Sequence, residues 1–238
     1  MEAPRNVTPR LLQRLRAALR TAADPARAAA MQSYMKSEMP YWGVPAPRLR
    51  AICRELFASY PFESVARWRA DVLSLWRSAK RREERYAALA LAGHRKARAF
   101  QTLEALPMYE ELIVSGAWWD FVDVLASHQI GKLLELYPRE MRRTLRAWSR
   151  GDDLWKRRAA ILAQLRCRDA TDTQLLYACI RPSLSSKEFF LRKAIGWALR
   201  ELAKYQPGEV LRYVEEHAHE LSPLSRREAL KHLLPQAG

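Results

Sequence analysis

One carboxylate in the chain is distinguished by its neighbours. Trp118-Trp119-Asp120-Phe121-Val122-Asp123 reads as the start of a helix in which Trp118, Phe121, Val122 and Leu125 form one apolar stripe at i, i+3, i+4 and i+7. Trp119 and Asp123, four residues apart, share the neighbouring face, so an indole and a carboxylate lie side by side off that stripe. A carboxylate so placed is equipped for base or electrostatic chemistry. Further along, Arg158 falls among Leu154, Ile161, Leu162 and Leu165, where a guanidinium needs an anionic partner to offset its desolvation, and Asp123 is the candidate. Phe190, Lys193 and Trp197 share a face about a quarter-turn from Leu191, Ala194, Ile195 and Leu202. A large aromatic flanked by a cation is a poor core face and a good surface for a nucleotide. A purely structural account uses the same residues: Asp120 caps the helix, Asp123 neutralises an Arg, and Trp119 packs on the next element.

Other chemistries lack their residues. The chain has no G-x-G-x-x-G, no P-loop, no H-E-x-x-H and no nucleophile elbow. His94, His128, His217, His219 and His232 are scattered, and His217 and His219, two apart, do not share a helix face, so no metal site and no cofactor are expected. Cys53, Cys167 and Cys179 form no C-x-x-C pair and no disulfide framework, which fits a reducing cytoplasm.

The elements that must position these residues are helices. Apolar residues recur at three and four throughout, with Pro or Gly between segments and no strict alternation, so the fold is expected to be all-α. Breaks at Asp24-Pro25, Pro45, Pro47, Pro61, Pro107, Pro138, Gly151, Pro182, Pro207 and Pro223 leave about a dozen helices. Related segments return at a fixed interval: aligning Ala87, Ala159, Ala194 and Ala229 gives separations of 72, 35 and 35, and halving the first places Asp123 at the missing position. A helical pair of that length cannot bury its apolar face alone, so successive pairs are expected to stack into a curved solenoid whose inner face binds. No linker or composition shift divides the chain, and residues 1–238 are read as one domain.

Charge narrows the partner. The 238 residues hold 41 Lys plus Arg against 26 Asp plus Glu, a net +15, and 32 of the cations are Arg, whose planar fork suits phosphate. A genome that prefers Arg everywhere gives the same skew. At 49% apolar residues the chain is long enough for a full core, and its longest apolar run, Tyr86 to Ala92, is far below the ~20 residues of a membrane span. Five Arg in the first twenty residues could imitate a transit peptide, but Leu11, Leu12, Leu15 and Leu19 fit a first helix of the fold, and that reading is taken.

Taken together, Trp118 to Asp123, Leu154-Trp155-Lys156-Arg157-Arg158-Ala159-Ala160-Ile161-Leu162 and Arg192-Lys193-Ala194-Ile195-Gly196-Trp197-Ala198-Leu199-Arg200-Glu201 resemble the AlkD family of DNA alkylation repair glycosylases. Tyr34-Met35-Lys36 followed by Trp42-Gly43 resembles the family's N-terminal segment, so the likeness covers nearly the whole chain. After Glu201 the chain departs from the family pattern, with Leu202-Ala203 in place of a more polar pair. The resemblance implies a right-handed α-solenoid of HEAT-like helical-pair repeats with a concave basic DNA-binding face. It further implies hydrolysis of the N-glycosidic bond of N3- or N7-alkylated purines in duplex DNA, with the lesion not flipped. By the same likeness Asp123 is the catalytic carboxylate, Trp119 and Trp197 are the cleft tryptophans, and Arg158 is the active-site arginine. Tyr34, Lys156, Arg157, Phe190 and Lys193 are the expected DNA contacts. With no lysine in a Schiff-base position the enzyme is expected to be monofunctional, and it is expected to act as a monomer near the nucleoid.

Three rival readings remain. A repeat of this length also fits single-stranded RNA readers, but those need polar residues at equivalent positions of every repeat, whereas here only Asp123 is polar among Ala87, Ala159, Ala194 and Ala229. A protein scaffold would make the charge incidental and require an acidic partner. A DNA-binding paralogue without activity is opposed by the presence of Trp119, Asp123, Arg158 and Trp197 together.

Overall fold

The computed structural model describes residues 7–233, and among them every regular element is helical. The chain forms two compact units, one up to Met108 and one from Tyr109.

The N-terminal unit contains α1 (Val7–Thr21), α2 (Pro25–Met35), α3 (Ala46–Ala58), α4 (Val65–Arg77) and α5 (Arg82–Ala92). The leucines at the start do form a helix, with Leu11, Leu15 and Leu19 buried against α3, α4 and α5. Asp24 caps α2 by accepting from the Arg27 N–H, with Pro25 at the first helical position. The turn at residues 42–44 is held by a buried carboxylate: Glu83 accepts the backbone N–H groups of Trp42, Gly43 and Val44 at 2.8–3.1 Å. Gly43 sits at φ +82°, and a Cβ there would lie 2.0 Å from the Asp24 carbonyl oxygen, so only glycine fits. Helix α6 (Leu106–Gly116) spans the boundary between the units.

The C-terminal unit continues with α7 (Trp119–Val124), a π-helical turn (Leu125–Ile130), α8 (Gly131–Leu136), α9 (Pro138–Arg150), α10 (Leu154–Leu162), α11 (Thr173–Ile180), α12 (Phe189–Ala203), α13 (Pro207–Glu216) and α14 (Pro223–Leu230). One layer is formed by α7, α10, α12 and α14, each packed on the next. The other members of the pairs lie over it: α9 packs on α8, α10 and α11, and α13 on α12 and α14. The aligned alanines explain the repeat. Ala87, Ala159, Ala194 and Ala229 are all fully buried, because a methyl group is what the close approach of neighbouring helices tolerates. The same constraint is most severe at Gly196, where a Cβ would lie 2.5 Å from the Glu228 Cβ and 2.8 Å from the Ser225 carbonyl oxygen on α14.

Candidate functional site

Asp123 occupies the position that carries buried alanine in the other repeats, and it is itself 9% exposed. The backbone that delivers it is unusual on both sides. Ala117 lies at φ +45°, in the left-handed region, which ends α6 sharply and sets Trp118 in extended conformation as the N-cap of α7. Asp120 is therefore in the first turn and not the cap, where its charge suits the helix N-terminus. Beyond Asp123 the helix widens into the π-turn, where the Ser127 hydroxyl donates to the Asp123 carbonyl at 2.7 Å.

A carboxylate at an alanine position needs a partner, and Arg158 of α10 supplies it. Its Nε and Nη2 donate to Oδ1 and Oδ2 of Asp123 at 2.7 and 2.8 Å, a bidentate pair between side chains that are 5% and 12% exposed. The third arm, Nη1, donates to the Phe190 carbonyl at the start of α12, so one guanidinium ties three successive repeats together. Burial pushes the Asp123 carboxyl above its ordinary value, while the hydrogen bonds and charge of Arg158 pull it down and the charge of Asp120 adds to the rise.

Aromatic rings stand beside the pair. Trp118, Trp155 and Phe190 form a triangle with centroids 5.1–6.1 Å apart, and the Arg158 guanidinium lies 5.9 Å from the Phe190 ring. Spacing alone does not mark Trp118 and Trp155 as site residues. Each stands at the start of a second-helix segment of the repeat, which is a usable signal, but apolar periodicity assigns such residues to the core. Trp119 and Trp197 are half-buried, and among the described residues neither ring takes part in a ring pair or hydrogen bond.

The cations expected to meet phosphate are engaged within the chain. Lys156 pairs with Glu110 at 2.5 Å, and Arg157 donates to the Pro182 carbonyl and the Ser183 hydroxyl at 3.0 Å each. Lys193 pairs with Glu228 at 2.9 Å, which also takes Arg200 at 2.7 Å. Tyr34 lies on α2 of the N-terminal unit and is 78% exposed. Among the described residues no three His, Cys, Asp or Glu side chains cluster as metal ligands, and no helix is long and apolar enough to cross a membrane. Burial pushes the Cys53 and Cys179 thiols up to about 12, so neither is a ready nucleophile.

Known proteins share this arrangement of sequence and fold. A solved structure described as a predicted DNA alkylation repair enzyme from Enterococcus faecalis is 30% identical and superposes with a TM-score of 0.78, over 89% of this chain and 96% of that one. No curated protein sequence gives a match. The family model of the DNA alkylation repair enzymes matches residues 15–233, which cover most of both units and every residue of the Asp123 site. The chain belongs to the DNA alkylation repair enzyme family.

Proposed function

We propose that the chain is a monofunctional DNA glycosylase that hydrolyses the N-glycosidic bond of N3- or N7-alkylated purines in duplex DNA. The observation that carries this reading is the Asp123–Arg158 pair. Four aligned positions hold alanine, so the fold does not need a carboxylate there, and its insertion requires a buried arginine to accompany it. An alkylated N3 or N7 makes the purine cationic, so the base leaves neutral without an acid, and positive charge develops on the sugar. In this reading Asp123 stabilises that charge and orients the attacking water, while Arg158 fixes the carboxylate through both oxygens. The indoles of Trp119 and Trp197 receive the cationic nucleotide and its sugar, each contributing about 0.5–2 kcal/mol. The ammonium groups of Lys156 and Lys193 are held in ion pairs, which supports hydrolysis over a lysine-linked strand cleavage.

The test is single-turnover release of N7-methylguanine or N3-methyladenine. Asp123→Asn retains shape and hydrogen bonding but removes the charge, so release is expected to slow roughly 10²- to 10⁴-fold while affinity for the duplex stays level or rises. A wild-type rate in Asp123→Asn refutes the catalytic assignment, and absence of release by the unmodified protein leaves a DNA-binding repeat without glycosylase activity.

A further inference from the structure

The C-terminal unit carries a stripe of positive charge on α9. Helix α9 exposes Arg139, Arg142, Arg143, Arg146 and Arg150 on one face, while Met141, Leu145 and Trp148 are buried on the other. At ~1.5 Å rise per residue the arginine stripe is about 16 Å long. Arg142 pairs with Asp172 at 2.8 Å, and the other four have no carboxylate partner among the described residues. Arg150 continues the stripe into a groove of about 790 Å³ between α11 and α13, where Arg181 adds to the charge and Arg212 is paired with Glu209 and Glu216. Because the buried side of α9 packs on α8 and α10, its arginine face points away from the helix layer that carries Asp123 and Arg158. None of the five arginines is among the charged neighbours of Asp123, which are Arg158 and Asp120.

We propose that the α9 stripe is a second phosphate-binding surface, which holds a segment of duplex DNA distinct from the one whose nucleotide meets Asp123. The choice of DNA rests on the DNA-directed reading above and on the chemistry of the stripe. All five cations are Arg, whose fork matches phosphate, and none is Lys. The rest of the exposed face is Pro138 and Ala147, with no aromatic or large aliphatic anchor of the kind that carries a protein interface. Over about 16 Å of axis one strand of a duplex presents about five phosphates. Engaging both surfaces would tether the protein to neighbouring DNA while one lesion is processed.

The experiment uses the full chain bound to a bead-immobilised duplex, with a fluorescent second duplex offered at low salt. Wild type is expected to capture the second duplex, and the triple variant Arg139→Gln, Arg143→Gln, Arg146→Gln to lose that capture at least tenfold. The slope of log affinity against log salt should shrink by about 0.9 for each phosphate no longer neutralised, up to about 3. The matching Arg→Lys triple variant keeps the charge and should restore most of the capture, which separates a loss of phosphate binding from misfolding. Capture that survives the Gln substitutions overturns the proposal, as does a wild-type protein that holds no second duplex, or a stripe that binds polyglutamate but not DNA. The outcome is separate from the glycosylase reading: Asp123→Asn should still capture the second duplex, and capture without base release would sink the glycosylase proposal alone.

Discussion

Removing both partners of the buried pair tests whether it serves stability or chemistry. Asp123→Ala alone leaves the Arg158 guanidinium, 5% exposed, with only the Phe190 carbonyl as partner. An uncompensated buried charge of this kind costs about 3–5 kcal/mol. At roughly 2–4 °C per kcal/mol for a chain of this size, the midpoint of thermal unfolding should fall by about 6–20 °C. Arg158→Met in the Asp123→Ala background removes that charge, and the first substitution gives the Asp123 register the alanine that Ala87, Ala159, Ala194 and Ala229 supply in the other repeats. The double variant should therefore regain wild-type stability or exceed it by about 1–4 kcal/mol, as buried pairs replaced by apolar residues often do. The pH dependence carries the same sign. Because the folded chain holds the Asp123 proton more tightly than the unfolded chain does, stability falls as pH rises from the ordinary value of 3.8 to the raised one, and the ionised pair is carried at a net cost above it. Thermal or urea unfolding of wild type, both single variants and the double variant, read by circular dichroism, completes the cycle, with base release measured on the same samples. A double variant several kcal/mol less stable than wild type would refute the reasoning, since the pair would then be a structural staple.

The pH profile of base release should show an acid limb above the ordinary carboxylate range, because ionised Asp123 is the active form and burial raises its value; in Arg158→Met the limb should move further up, and a limb that stays put would detach the rate from Asp123. Trp197→Ala should reduce base release far more than stability, since the ring is half-buried and unpartnered, whereas a loss of about 3–5 kcal/mol with normal release per folded molecule would mark it as core. Gly196→Ala should force α12 and α14 apart, costing about 1–3 kcal/mol, and should lower base release through displacement of the adjacent Trp197; unchanged melting and turnover would show that the contact yields freely.

Much of this protein is legible in its sequence because helical periodicity and helix punctuation are local. The spacing of Leu11, Leu15 and Leu19 and the prolines at helix starts place the elements, and the recurrence at 35 to 36 residues by itself aligns Asp123 with four alanines. Arg158 is nominated as its partner because it falls on an apolar stripe one repeat further on. What spacing leaves open is where side chains end. Lys156, Arg157 and Lys193 are expected DNA contacts, yet each reaches a neighbour within the chain, at Glu110, Pro182 and Ser183, and Glu228. The left-handed turn at Ala117, the π-turn after Asp123 and the triangle of Trp118, Trp155 and Phe190 likewise depend on how three repeats meet. A wheel fixes the direction in which a side chain leaves its own helix, whereas its burial, partner and charge state depend on the atoms of other helices brought near it by packing. Asp123 is notable in sequence because it is the one polar residue in its register; it is a desolvated, doubly held carboxylate only because that register is the buried one.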